Sequence, residues 1–91
     1  MAEKTFHCSV VTPERAVLET EANFVAFPAH DGEIGILQNR APLLCQLGKG
    51  TLRVELGKES HRFQIEGGFA QMVENKLTIL TNDAKTIAPA N

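Results

Sequence analysis

Apolar residues recur at every second position over much of this chain. Leu52, Val54 and Leu56 alternate with Thr51, Arg53 and Glu55, while Phe63 and Ile65 alternate with Arg62, Gln64 and Glu66. Phe6, Cys8 and Val10 repeat the pattern near the start. A period of two sends successive side chains to opposite faces, so each stretch is expected as a strand with one buried face. Phe24-Val25-Ala26-Phe27 and Leu77-Thr78-Ile79-Leu80 are more continuously apolar, the pattern of strands covered on both faces. Turn signals at Asp31-Gly32, Asn39 with Pro42, Gly48-Lys49-Gly50, Gly57-Lys58, Gly67-Gly68 and Glu74-Asn75-Lys76 separate the runs at short intervals. Such spacing predicts hairpins. Many short strands without a long helical period give an all-β fold, an antiparallel sandwich or flattened barrel.

One segment carries competing signals. Thr12-Pro13-Glu14-Arg15-Ala16-Val17-Leu18-Glu19 has an N-cap residue, Pro at the first helical position and Glu in the first turn, which together read as a short helix. Pro13 equally suits the second position of a β-turn, with Val17 and Leu18 opening the next strand. The expectation adopted is strand, turn, strand. From Asn82 to Asn91 the alternation fades, and Pro89 would end any helix begun at Asp83, so a loosely held tail is expected. No repeat, low-complexity block or linker interrupts the chain.

At 91 residues and 9.9 kDa, the chain makes one domain able to bury roughly 60–65% of its unfolded surface, enough for one modest core and no deep cleft. Hydrophobic residues at 43% and charged residues at 22% are ordinary for a folded domain. Nine basic and eleven acidic residues leave a net charge of -2 with no like-charged run, so the electropositive face a polynucleotide needs is missing. The polar start, Met1 to His7, is unlike a signal peptide, and no apolar run approaches the ~20 residues that span a bilayer. A soluble chain made without a cleaved export signal is expected. Cys8 and Cys45 lie far apart without a metal-like spacing and read as small hydrophobes in a reducing compartment rather than a disulfide.

The stretch densest in special residues runs from His30 to Leu44 and has two turns around a short apolar strand. Asp31 and Glu33 form the obvious acid–base pair, yet they flank Gly32 in an expected surface loop where nothing nearby desolvates one selectively. His7, His30 and His61 with Cys8 and Cys45 show neither an i, i+4 pair nor a Cys-x-x-Cys knuckle, so no metal is expected. Cys45 sits among Leu43, Leu44, Gln46 and Leu47, where a nucleophilic thiolate is disfavoured. Neither Gly67-Gly68 nor Gly48-Lys49-Gly50 precedes a helix or ends in the Lys-Ser or Lys-Thr of a phosphate loop, so nucleotide binding and cofactors are not expected. What remains is a constrained surface suited to holding another macromolecule.

Taken in order, the motifs resemble those of one family. Val10-Val11-Thr12-Pro13-Glu14-Arg15, Asp31-Gly32-Glu33-Ile34-Gly35-Ile36-Leu37 and Arg40-Ala41-Pro42-Leu43-Leu44 are followed by Gly50-Thr51-Leu52-Arg53, Glu66-Gly67-Gly68-Phe69-Ala70 and Leu77-Thr78-Ile79-Leu80-Thr81. Each is weak alone, and together they resemble the N-terminal domain of the ε subunit of F-type ATP synthases, called δ in mitochondria. The match covers residues 5 to 84, leaving 85–91 as a short tail. The resemblance implies a ten-stranded antiparallel β-sandwich at the foot of the γ shaft and on the membrane c ring. That part couples rotation to ATP synthesis and catalyses nothing.

Residue by residue, Asp31, Gly32 and Glu33 match the loop that meets the c ring, with Glu33 the strongest candidate. Arg40, Ala41, Pro42, Leu43 and Leu44 match the γ-contact segment. The implied location is peripheral on an energy-transducing membrane, the cytoplasmic face of a bacterial inner membrane, without lipid insertion. Exposed carboxylates at a rim orient more than they hold, at about 0–1 kcal/mol each, so Leu43 and Leu44 behind a backbone-fixing Pro are the natural anchors.

The chain departs from the family pattern in two places. Gln38-Asn39-Arg40 stands where many relatives have Pro-Gly-His. Asn tolerates the left-handed turn, whereas Arg40 removes any pH-dependent role of that position. The helical hairpin that commonly follows in the family, and binds ATP in some members, is absent from these residues, so neither ATP binding nor hairpin inhibition is expected of them. The rival reading, a sandwich that binds a small ligand or carbohydrate, is weakened by the lack of Trp and Tyr as stacking platforms.

Overall fold

A computed structural model describes residues 5–30, 32–38 and 41–87, and these form ten strands and no helix. They are β1 (Phe6–Val11), β2 (Ala16–Ala22), β3 (Phe24–Ala29), β4 (Gly32–Ile36), β5 (Leu43–Gln46), β6 (Lys49–Leu56), β7 (Glu59–Glu66), β8 (Phe69–Val73), β9 (Lys76–Leu80) and β10 (Ala84–Ile87). Two five-stranded sheets stack face to face: sheet I in the order β2-β1-β9-β8-β5 and sheet II in the order β10-β7-β6-β3-β4. The expected all-β sandwich is what forms. One pairing departs from the antiparallel rule: β1 and β9 run parallel, with Cys8 opposite Leu77 and Val10 opposite Ile79.

The alternation read from the sequence is the alternation of burial. Phe6, Cys8 and Val10 from β1 meet Met72, Leu77 and Ile79 from sheet I, and Val25, Phe27, Leu52, Val54, Phe63 and Ile65 close the core from sheet II. Each large apolar side chain removed from water in this way stabilises the fold by about 1.5–3 kcal/mol. The Thr12 segment is a turn: Thr12 and Arg15 exchange backbone bonds of 2.9 and 3.3 Å between β1 and β2. Pro13, which has no N–H to give, occupies the position between them.

Two glycine signals have a different outcome from the one expected. Gly48 lies between β5 and β6, and Gly67-Gly68 between β7 and β8, and in both cases the flanking strands belong to different sheets. These are crossings over the sandwich edge, not hairpins. A Cβ placed on Gly68, whose φ is +114°, would lie 1.9 Å from the Leu80 carbonyl oxygen, so the crossing is tight enough to require glycine. Nearby, the Thr81 hydroxyl lies 2.8 Å from the Gly67 carbonyl and 3.1 Å from that of Asp83, satisfying a buried polar side chain where β9 leaves sheet I. The backbone then returns as β10, which pairs with β7 from Ala84 to Ile87 although the alternation fades from Asn82. Strand pairing here depends on backbone bonds at a sheet edge, which demand little of the side chains.

Candidate docking surfaces

With Phe6, Cys8 and Val10 of β1, Ala70 and Met72 of β8 and Leu77 and Ile79 of β9 turned inward, the alternate positions of sheet I form rows on its outer face. Gln46, Phe69, Leu80, Val11 and Ala16 line up across β5, β8, β9, β1 and β2. The next row reads Leu44, Gln71, Thr78, Ser9 and Glu19, and the third contains Val73, Lys76, His7 and Glu21. Leu44 is 70% exposed, Phe69 52% and Leu80 49%. Beside Phe69 and Leu80 is a groove of about 600 Å³ lined also by Val11, Pro13 and Gln46. Single exposed leucines are ordinary, but several on one face around a groove mark a contact surface.

The opposite corner of that face is polar. His7 reaches Glu21 with Nδ1 at 3.3 Å and Glu19 with Nε2 at 3.6 Å, and the Ser9 hydroxyl donates to Glu19 at 3.3 Å. The apolar side of sheet I therefore lies toward β5 and β8, where β5 is an edge strand.

The stretch from His30 to Leu44 divides between the two sheets. Gly32 and Glu33 sit on β4, the edge strand of sheet II, with Glu33 exposed opposite Pro28. Ala41 and Pro42 are exposed just before β5. Asp31 and Arg40 lie outside the described residues. Leu43 and Leu44, expected as paired anchors, separate: Leu43 lies opposite buried Met72 and packs against the core, whereas Leu44 points outward. Consecutive strand positions face opposite ways, so only Leu44 is available to a partner.

Sequence reasoning missed Phe69, Leu80 and Val73 as surface residues. The signal was present in Leu77-Thr78-Ile79-Leu80, whose unbroken apolar character suggested cover on both faces. Leu77 and Ile79 are buried, but nothing among the described residues covers Leu80.

A second hollow, of about 320 Å³, lies between the β3–β4 turn and β5 and is lined by His30, Glu33, Ile34 and Cys45. His30 and Glu33 are both exposed, and no hydrogen bond or ion pair joins them to make an acid–base pair. Burial raises the Cys45 thiol above its ordinary value, which disfavours the thiolate a nucleophile needs. Both cysteines are unpaired. Among the described residues no His, Cys, Asp and Glu side chains gather in a group able to hold a metal ion.

Comparison with known proteins gives a consistent result. Residues 5–87 match the family model described as ATP synthase, Delta/Epsilon chain, beta-sandwich domain. The chain is similar to the ATP synthase epsilon chain of Rhodopirellula baltica, 44% identical over 80 residues that make up 88% of this chain and 62% of that one. It is 40% identical to the ATP synthase epsilon chain of Nitratidesulfovibrio vulgaris over 83 residues, 91% of this chain and 62% of the relative. The chain thus spans about three fifths of the length of these relatives. In fold it is similar to a chain in the cryo-EM structure of the Euglena gracilis mitochondrial ATP synthase OSCP/F1/c-ring, with a TM-score of 0.84 at 22% identity, covering 94% of this chain and 55% of that one. A chain of the Tetrahymena thermophila mitochondrial ATP synthase central stalk and c-ring gives 0.75 at 16% identity, covering 92% and 68%.

Proposed function

The chain belongs to the family of the ATP synthase delta/epsilon chain β-sandwich domain, and on that footing we propose that it is a non-catalytic central-stalk part of an F-type ATP synthase, linking the γ shaft to the c ring. The observation that carries the reading is the apolar outer face of sheet I, where Phe69 and Leu80 line a groove and Leu44 stands exposed in the next row. Covering each of these side chains with a partner surface contributes on the order of 1–3 kcal/mol. To the same γ contact we assign Ala41 and Pro42, exposed just before β5, and Arg40 before them in the chain. Gly32 and Glu33 lie on the edge strand of the other sheet, which leaves them free for a second contact in this reading. We assign that second contact, with Asp31, to the c ring. Glu33 there steers and orients, since an exposed ion pair adds only about 0–1 kcal/mol.

In this role the chain transmits torque between ion flow and the catalytic head. It sits peripherally on an energy-transducing membrane, held through its partners and not by lipid, on the cytoplasmic face in a bacterium. No bound nucleotide or cofactor enters the mechanism.

The deciding experiment is co-purification with the cognate γ subunit. Wild-type chain is expected to form a complex at micromolar concentration, and Leu44→Asp and Leu80→Asp chains, checked for folding by thermal melts, are expected to lose it. Glu33→Arg is expected to keep γ and to weaken retention on membranes containing the c ring. No wild-type complex with γ, or full retention by both Asp variants, would refute the proposal.

A further inference from the structure

The outer face of sheet II carries an arrangement that strand pairing alone does not explain. Arg53 on β6 and Arg62 on β7 stand directly opposite one another in register. Such partners have Cβ atoms about 4.5–5.5 Å apart, a position where like charges destabilise a sheet. Glu55 reaches one of them, with its Oε2 2.8 Å from Arg53 Nε but off the line of the N–H. Arg62 has no carboxylate at salt-bridge distance among the described residues, and its Nε is shut off from solvent without a hydrogen-bond partner. That Nε is closed to an outside partner as well, so an acceptor from outside the chain would meet the uncompensated guanidinium through its terminal Nη groups.

The surroundings narrow what that acceptor belongs to. Ile87 lies opposite Arg62 on β10, and Ala26 lies opposite Arg53 on β3. Beyond Ala26, the Phe24 ring lies over Gly35, where an added Cβ would come within 2.9 Å of it, and the Arg53 guanidinium is 5.5 Å from the ring centroid. The result is a strip running across the strands: aliphatic, cation, cation, aromatic. A small anion is held best in a concave site, whereas a sheet face offers contact along a line. Glu residues at positions i and i+4 of a helix have Cβ atoms about 5–6 Å apart, close to the Cβ spacing of the two arginine positions, and each guanidinium can take a carboxylate with two parallel bonds.

We propose that this strip docks an acidic amphipathic protein segment, presenting one carboxylate to Arg53 and one to Arg62 while its apolar residues cover Ile87 and Phe24. The site lies on the sheet opposite the apolar face assigned above to γ and does not depend on that assignment.

The probe is a synthetic peptide of about 18 residues, long enough to be helical, with one Glu pair at i and i+4 on an Ala- and Leu-based background. The same peptide with Gln at both positions is the control. Saturable NMR shifts are expected in amides of β6, β7 and β10, weakened about tenfold or more for the Gln peptide or for Arg62→Gln chain, in line with loss of a charge-assisted pair. Arg62→Gln is also expected to raise the thermal midpoint, because it removes the in-register repulsion. A purely structural arginine would lower it. Capture of γ by Arg62→Gln is expected to be unchanged, which separates failure here from failure of the stalk reading. Equal binding of both peptides, shifts confined to sheet I, the same shifts produced by inorganic phosphate alone, or self-association of the chain through these amides would each overturn the proposal.

Discussion

Leu43 and Leu44 are neighbours in the chain and opposites in the fold. Leu43 meets Met72 at the edge of the core, and Leu44 faces away from it. Leu43→Ala is therefore expected to cost about 1–2 kcal/mol in urea unfolding, below the range for fully buried leucines because the site is only half closed. Leu44→Ala should fall within about 0.5 kcal/mol of wild type. Equal costs for both would contradict the orientation. A second residue with a measurable signature is Cys8, whose thiol burial pushes up to about 12 from an ordinary 9.0. The unfolded chain gives up this proton first, so the stability the group contributes is intact below pH 9.0 and is lost as pH climbs toward 12. The slope is up to about 1.4 kcal/mol per pH unit. Alkaline melts of the Cys8→Ala chain should show a shallower decline over the same window than those of wild type.

Among the elements, short-range turns were the most legible. Gly57-Lys58 and Glu74-Asn75 join strands that pair with each other, and the turn at Gly32 does the same for β3 and β4. Gly48 and Gly67-Gly68 carry the same composition but bridge the sheets. A turn residue reports local backbone geometry, and the identity of the next pairing partner is decided by distant strands. The β8–β9 turn holds a conformational cost: Glu74 has φ 49° and Asn75 φ 64°, and a side chain like Glu rarely adopts the left-handed region that Asn tolerates. Glu74→Gly should thus raise stability by about 0.5–1 kcal/mol in chemical denaturation, since the strain relieved exceeds the added unfolded-state entropy. A destabilised variant would show that the Glu74 side chain contributes contacts outweighing that strain.

At the scale of the whole molecule, the two outer faces differ in kind, and salt should tell them apart. The γ contact proposed for sheet I is led by apolar side chains, so its Kd should move less than about threefold between roughly 0.05 and 0.5 M salt. A steep salt slope in titration of γ would mean that the Glu19 and Glu21 corner, rather than Leu44 and Leu80, dominates. Alternation, turn chemistry and composition by themselves determined an all-β chain with one core, and the order of motifs determined its family, because a period of two and the backbone needs of turns are properties of neighbouring residues. The identity of the surface was decided elsewhere. Only the stacking of two sheets leaves Leu80 bare beside Phe69 while burying Ile79, turns Leu43 rather than Leu44 to the core and sets Arg53 against Arg62. Each of those facts depends on which distant strand lies alongside, and pairing across tens of residues is selected by the closure of the common core.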